Sequence, residues 1–425
     1  MTFPRLAMLL AFLVCVTTGF GAEAKQVRAF PDAQGFGAFT PGGRGGEIIR
    51  VTTLAADGPG SFAAALKTKG PRIVVFEVGG VIDLAGRSIK LHEPFVTIAG
   101  ATAPAPGITL IRGTLDIYAH DVVVQHLCIR PGEAGREKKS GWEADGISTV
   151  SASNVIVDHC SCTWATDENL SASGPRFEGE TVENWRAGAS HHITFSNCLI
   201  AEGLSKSTHA KGEHSKGSLL HDNGTFLSVI GNLYASNVER NPLAKGGVHA
   251  VIANNWIVNP GRRAIHHALV KSEWDPHPPV TSRLAIVGNV LEYGPNTPPK
   301  LALFLNHYDS PLELFMADNL AFDREHQSAP LVDPASLSPQ ETRPPWPEGF
   351  EPMPAEKVKD FVAKNVGARP WDRDPIDERI IRTALEGHGK VIDSEQEAGG
   401  YPDRPATRTP FKPEEWDLGT MQRKH

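Results

Sequence analysis

The run Val238-Glu239-Arg240-Asn241-Pro242-Leu243-Ala244-Lys245-Gly246-Gly247-Val248-His249-Ala250 sets two basic side chains, Arg240 and Lys245, around a short extended stretch. Farther up the chain lie Glu143-Ala144-Asp145-Gly146-Ile147 and Asn154-Val155-Ile156-Val157-Asp158-His159. Glu143 and Asp145 alternate by two, so in an extended segment both side chains leave one face. Carboxylates paired in this way can hold a hard divalent cation such as Ca2+ through oxygen. A cation together with Arg and Lys groups can clamp a carboxylate-bearing ligand. An acidic loop and basic residues facing solvent would give the same letters. Asp158 ends an apolar alternation beside His159, and there a structural hydrogen-bonding duty is at least as well supported as chemistry.

The elements that must position these groups follow one pattern. Two or three alternating apolar residues lead to a small or polar residue and then to His or Asn. The pattern recurs at Val122–His126, Val155–His159, Ile193–Asn197, Leu227–Asn232, Ala250–Asn255, Leu284–Asn289 and Leu314–Asn319. Successive marks lie between 23 residues (Asn232 to Asn255) and 38 residues (His159 to Asn197) apart. Period-2 apolar patterning at such intervals predicts strand-bearing coils stacked in register, with variable loops on one or two sides. The stacked Asn side chains are expected to satisfy one another's amides at a buried turn. A β-sandwich would show shorter intervals and tight hairpin signals such as Asn-Gly, which are rare here. The fold class is therefore all-β, a parallel β-helix.

Gly60–Leu66 reads as a short helix with Ser61 as N-cap, covering the apolar end of the first coil. Past about Arg324, Pro and charged residues dominate. Ala355 to Val366 and Ile376 to Leu385 have helical spacing. The expected organisation is 1–24 as an export signal, 25–325 as the β-helix and 326–425 as an extension packed on it.

Composition narrows the partners. A net charge of −7 over 425 residues argues against a nucleic-acid binder, so an anionic ligand needs a local basic cluster or a cation. Arg5, the apolar run Leu6–Val16 and Ala22-Glu23-Ala24 read as a cleavable export signal, with the mature chain starting at Lys25 and a secreted or periplasmic destination. No later segment reads as a membrane span. Cys128, Cys160, Cys162 and Cys198 remain after cleavage, and stacking in the core or bonding to each other are both open.

Taken together, these motifs resemble the pectate lyase family, the parallel β-helix polysaccharide lyases, in its bacterial secreted form. The family's Arg-x-Pro-x-x-basic-Gly-Gly run, followed by Val-His-Ala and a hydrophobic-Asn-Asn strand, reads here as Arg240 to Asn255. Its acidic-x-Asp and hydrophobic-Asp-His read as Glu143, Asp145 and Asp158-His159. Ala29–Gly37, Gly42–Gly46 and Gly58–Phe62 are similar to the family's opening segments. The resemblance implies a right-handed parallel β-helix that cleaves polygalacturonate (pectate) by Ca2+-assisted β-elimination, as a monomer with no nucleic-acid or membrane partner. It places the calcium carboxylates at Glu143 and Asp145, with a further acid at Asp167 or Glu168. The family's last calcium acid falls on Ser171, a departure that bears on calcium affinity. Arg240 would be the base, a role that an ordinary Arg pKa would not suggest. Lys206 would hold the substrate carboxylate, and Lys245 stands where the family has Arg. His209, His214, His221, His249, His266 and His267 read as ladder, loop or structural residues. A β-helix hydrolase would need flanking carboxylates, and the Asn-Thr-Asp and Gly-Asp-Asp motifs of that class are absent. A non-catalytic β-helix would leave Arg240 and Lys206 without purpose.

Overall fold

Strands such as Val155-Ile156-Val157 and Ile193-Thr194-Phe195 are too short to bury an apolar face alone, so each must find the next coil. In the computed structural model, which describes residues 27–307, 310–336 and 339–424, they do so in parallel register. Ile193 lies opposite Val155 on one side and Leu227 on the other. The export signal read at 1–24 lies outside the described residues. Three sheets run the length of the solenoid. The first holds Val122–Gln125, Ser153–Asp158, His191–Ser196, Thr225–Ile230 and their successors. The second holds Leu127–Arg130, Ser161–Thr163, Leu199–Ala201, Leu233–Ala235 and Trp256–Val258. The third holds Ile147–Val150, Leu170–Ser173, Leu219–Leu220, Leu243–Lys245 and Ile265–Ala268. Inward residues of all three meet in one buried core that includes Val157, Ile193, Val229, Ile200, Ile147 and Leu170.

The corner between the first and second sheets is tight. There Asn232, Asn255, Asn289 and Asn319 form the expected ladder. Asn232 Nδ2 donates to Asn255 Oδ1 at 2.9 Å, Asn255 Nδ2 to Asn289 Oδ1 at 2.9 Å, and Asn289 Nδ2 to Asn319 Oδ1 at 3.1 Å. Upstream, the Cys198 N–H caps the ladder on Asn232 Oδ1 at 2.8 Å. The His126, His159 and Asn197 marks lie one position earlier, at the bend itself, where φ is positive at 60°, 47° and 51°. Two adjacent columns thus produce what reads in sequence as one. Asp158, fully buried beside this bend, accepts from Gln125 Nε2 at 3.0 Å, Ser196 Oγ at 2.8 Å and Asn197 Nδ2 at 2.9 Å, and contacts His159 Nδ1 at 2.7 Å. Its duty is structural. Cys160, Cys162 and Cys198 are buried free thiols in the same core, and Cys128, also buried and free, faces Asp374 on the outside of the second sheet.

The corner between the second and third sheets is different. In the first coils a single strand runs through it: Ile108–Ile117 pairs with Leu127–Arg130 by its first half and with Ile147–Val150 by its second. From there on the corner opens into loops 131–146, 164–169, 202–218 and 236–242.

Ser61 caps the helix Phe62–Leu66, its Oγ accepting the Ala64 N–H at 3.1 Å, and Phe62 and Leu66 close the core beside Phe76. At the other end, bridges from Phe322 to Ser328 and from Phe304 to Val332 keep the chain on the coil before it departs. The helices Val358–Asn365 and Pro375–Leu385 lay Val358, Val362, Ile380 and Ile381 against Leu199, Leu233 and Trp256 on the outside of the second sheet. Charges pin this packing. Buried Arg130 donates to Asp374 at 2.7 Å and Asp377 at 2.8 Å, and Arg379 forks onto Glu202 at 2.7 and 2.8 Å. Finally Thr407 pairs antiparallel with Gly79. No helix of the described residues is long and apolar enough to cross a membrane.

Candidate active site

The opened corner stacks charges as the other stacks amides. Peptide hydrogen bonds pass from coil to coil: Gly146 N–H to Glu168 O at 2.9 Å, Asn169 N–H to Lys216 O at 3.2 Å and Gly217 N–H to Glu239 O at 3.0 Å. Glu168, Lys216 and Glu239 are direct bridge partners, and the same bonding pattern puts Asp145 against Glu168. Lys216, itself buried, pairs with Glu239, which also accepts from Arg262 Nε at 2.8 Å and pairs with Arg263. Burial alone would raise the Glu239 carboxyl, but the bond from Arg262 and the charge of Lys216 hold it far below the carboxylate range.

Ligand atoms of Asp145, Asp167 and Glu168 lie within 4.8 Å of one another. The structure therefore brings together three of the four acids expected from sequence. Glu143 stays outside. It is exposed on the loop before Ile147–Val150, with its carboxylate 3.4 Å from His209 Nδ1 and accepting the Ala210 N–H at 3.3 Å. The segment is not a strand there, and Glu143 is not among the acids gathered within 4.8 Å of one another. Asp145 is pushed well above the usual carboxylate range, first by burial, then by the charges of Asp167 and Asp116. Burial also acts on Asp167, but His214, whose Nε2 stands 2.6 Å from Asp167 Oδ1, and the Arg240 charge bring it below the usual value. His214 stacks on His209 with ring centroids 3.6 Å apart.

Arg240 reaches into this group and pairs with Glu168. Burial lowers its guanidinium from the ordinary Arg value, while Asp167 and Asp145 pull the other way. The leading cationic neighbour is Arg262. Its φ of 62° matches the other coil bends and marks a solenoid turn, not strain special to the site.

The two lysines part company. Lys206 is exposed on a hairpin bridged to Glu213, its own N–H donating to Asp393 Oδ1 at 3.0 Å, and no ion pair engages its ammonium among the described residues. Lys245 is buried in the third sheet between Asp222, 3.2 Å from its Nζ, and Glu273. Asp222 is further held by Arg176 Nε at 2.8 Å and Trp274 Nε1 at 2.8 Å. Ser171 sits in the third sheet opposite Ser148, its buried Oγ without a hydrogen-bond partner.

Sequence reading missed Lys216, Glu239, His209, His214 and Asp116 as members of this corner. Only two left a signal: Glu239 immediately precedes Arg240, and Asp116 stands between Leu115 and Ile117.

A solenoid of parallel coils with an acid cluster and an arginine at one opened corner has the architecture of a polysaccharide lyase. No family model matches the chain. Among curated proteins, a probable pectate lyase C of Emericella nidulans is 32% identical over 399 residues, covering 90% of this chain and 82% of that protein. The probable pectate lyase C of Aspergillus flavus is likewise 32% identical, over 90% of this chain and 83% of its own length. The chain belongs to the pectate lyase family. Solved structures agree on the fold. The major allergen from cedar pollen superposes with a TM-score of 0.53 at 16% identity, over 79% of this chain and 92% of that one. A mutant of the Bacillus subtilis pectate lyase gives 0.53 at 12% identity, over 82% and 99%.

Proposed function

We propose that the chain is a secreted pectate lyase that cleaves de-esterified polygalacturonate by Ca2+-assisted β-elimination, leaving an unsaturated sugar end. One observation carries the reading: Asp145, Asp167 and Glu168 converge within 4.8 Å, and Arg240 pairs with one of them. The donor set fits the ion. All three are hard oxygen ligands, and Asp145 is held away from its ionised form first by burial and then by its acidic neighbours, a conflict that a divalent cation relieves. Asp145, Asp167 and Glu168 would hold the calcium, which when bound supplies positive charge against the substrate carboxylate and so favours loss of the C5 proton.

The chain's own groups do the rest. Arg240 takes the C5 proton, and its buried guanidinium is less firmly protonated than a solvated one. Lys206, exposed and without an ion pair among the described residues, is placed to meet a uronate carboxylate. Lys245 orients the strand after Arg240 through Asp222 and Glu273. The ring pair His209 and His214 positions Asp167. Ser171 leaves the cation one protein carboxylate short of the family pattern, so affinity rests on the three acids and the substrate.

Initial rates of unsaturated-product formation, followed by ultraviolet absorbance, test this on polygalacturonate and on highly methylated pectin. The free acid should be cleaved much faster, with the rate climbing into alkaline pH. Preference for the ester would point to a pectin lyase. An acidic optimum with new reducing ends and no unsaturation would point to a hydrolase.

A further inference from the structure

A cavity of about 650 Å3 opens between the C-terminal tail and the corner of the first and second sheets, away from Arg240. One wall is the backbone of 101–105 with His126, and the other is the tail from Thr409 to Arg423. Trp371 stands at its edge, 56% exposed, the most exposed Phe, Tyr or Trp among the described residues. His126 meets it edge-on at 5.0 Å and 65°, and the Arg369 guanidinium lies 5.3 Å from its centroid. The remaining surface is open, and Phe411 and Trp416, with rings 6.1 Å apart, line the far side.

The polar groups are as telling. The Arg369 side chain is only 10% exposed. Its NH1 donates to Ala103 O at 3.1 Å and its NH2 to Asp372 at 2.9 Å, but its buried Nε has no partner. Across the groove Lys412, at 3.2 Å, and Arg423, at 2.9 Å, share the one carboxylate of Glu415. One positive charge is therefore left over in the groove, on a chain whose net charge is −7. Flat aromatic faces pack the C–H faces of a pyranose ring, and a surplus cation answers a carboxylate.

We propose that this groove is a second binding site, taking a short stretch of uronate-bearing oligosaccharide. It would tether the polymer while the Arg240 corner cuts elsewhere along it, raising the local concentration of cleavable bonds. The choice of polymer rests on the lyase reading above; the groove itself does not.

The test uses the full chain carrying Arg240→Ala, so that ligand survives, titrated calorimetrically with a galacturonate oligomer. Two sites are expected, and adding Trp371→Ala should leave one. Arg369→Gln should weaken the second site by about tenfold. With Arg240 intact, Trp371→Ala should keep the rate on a short soluble oligomer and lose several-fold on a pectate gel. Unchanged stoichiometry in Trp371→Ala overturns the groove, whether or not the enzyme makes unsaturated product. Equal binding of a neutral galactose oligomer overturns its carboxylate preference. A change in sedimentation of the free protein on Trp371→Ala would assign the groove to a second copy of the chain and overturn the sugar. Trp371-dependent binding without any unsaturated product from the wild-type chain would sustain the groove and sink the lyase reading.

Discussion

Two corners of the same coil have been filled in opposite ways. At one, Asn232, Asn255, Asn289 and Asn319 repeat a neutral group that donates to its successor and accepts from its predecessor. Each rung is satisfied by an identical neighbour, so the column needs nothing from outside. At the other, Asp145, Glu168, Lys216 and Glu239 occupy equivalent turns with unlike charges. The lower end answers Glu239 with Lys216, Arg262 and Arg263, whereas the upper end leaves acids crowded together, answered by Arg240, His214 and His209. The contrast teaches that coil stacking supplies proximity at no further cost, and that residue type decides whether proximity becomes stability or a demand for a ligand.

The largest effect expected is on the charged corner. Arg240→Ala should lower turnover by roughly a thousandfold, read from initial rates, while thermal unfolding moves little. Retention of more than a tenth of the wild-type rate would remove Arg240 as the base. Asn255→Leu should do the reverse. It strips the Asn255 side-chain partners from Asn232 and Asn289 in a buried column and should cost about 3 kcal/mol in denaturant unfolding, with the calcium requirement unchanged. A ladder variant as stable as wild type would mean that apolar coil packing alone holds that corner.

A finer cut compares acids within the site. Asp145→Asn should raise the calcium needed for half-maximal rate by about tenfold, whereas Glu143→Gln, outside the cluster, should raise it about twofold at most. Equal shifts in the calcium titration would return Glu143 to the ligand set. The smallest effect is pH-dependent and belongs to the amide corner. Burial works against Asp158 as an anion, yet His159 and the bonds from Asn197 and Gln125 hold its carboxyl far below the usual range. Its contribution is present above the unfolded pKa of about 4 and lost as pH falls through the folded value. Burial likewise opposes His159, but Asp158 raises it, so its contribution is full below about 6.5 and fades as pH rises through the raised folded value. Unfolding free energy should therefore contain a term that is greatest between those two limits and absent in Asp158→Asn. Activity should still be climbing where that term fades, which separates the corners by pH alone.

The amide corner was legible because its signal is local. An alternation of apolar residues that ends in Asn states both the strand and the turn. Arg240, Asp145, Asp167 and Glu168 were legible through the resemblance of their motifs to the pectate lyase family, and Ser61 and the two C-terminal helices through capping and helical period. Lys216, His209 and His214 were not, since they ride on a loop, 202–218, whose length obeys no repeat. Their places depend on how the hairpin folds back, and on Ile392 and Asp393 of the extension, which bond Ser205 and Lys206. Lys245 was legible as a cation but not as a committed one, because Glu273 reaches it from the later one-turn helix Lys271–Trp274.

The four free thiols carry a consequence for how the protein is made. Burial pushes Cys128, Cys162 and Cys198 up, so these sulfurs stay protonated and unreactive once the coils close over them. Nothing in the coil waits on an oxidant, an isomerase or the correct choice among pairings. A chain of this kind should mature at the same speed in a reducing cell interior as in an oxidising one, and it should lose nothing when a reductant is added afterwards.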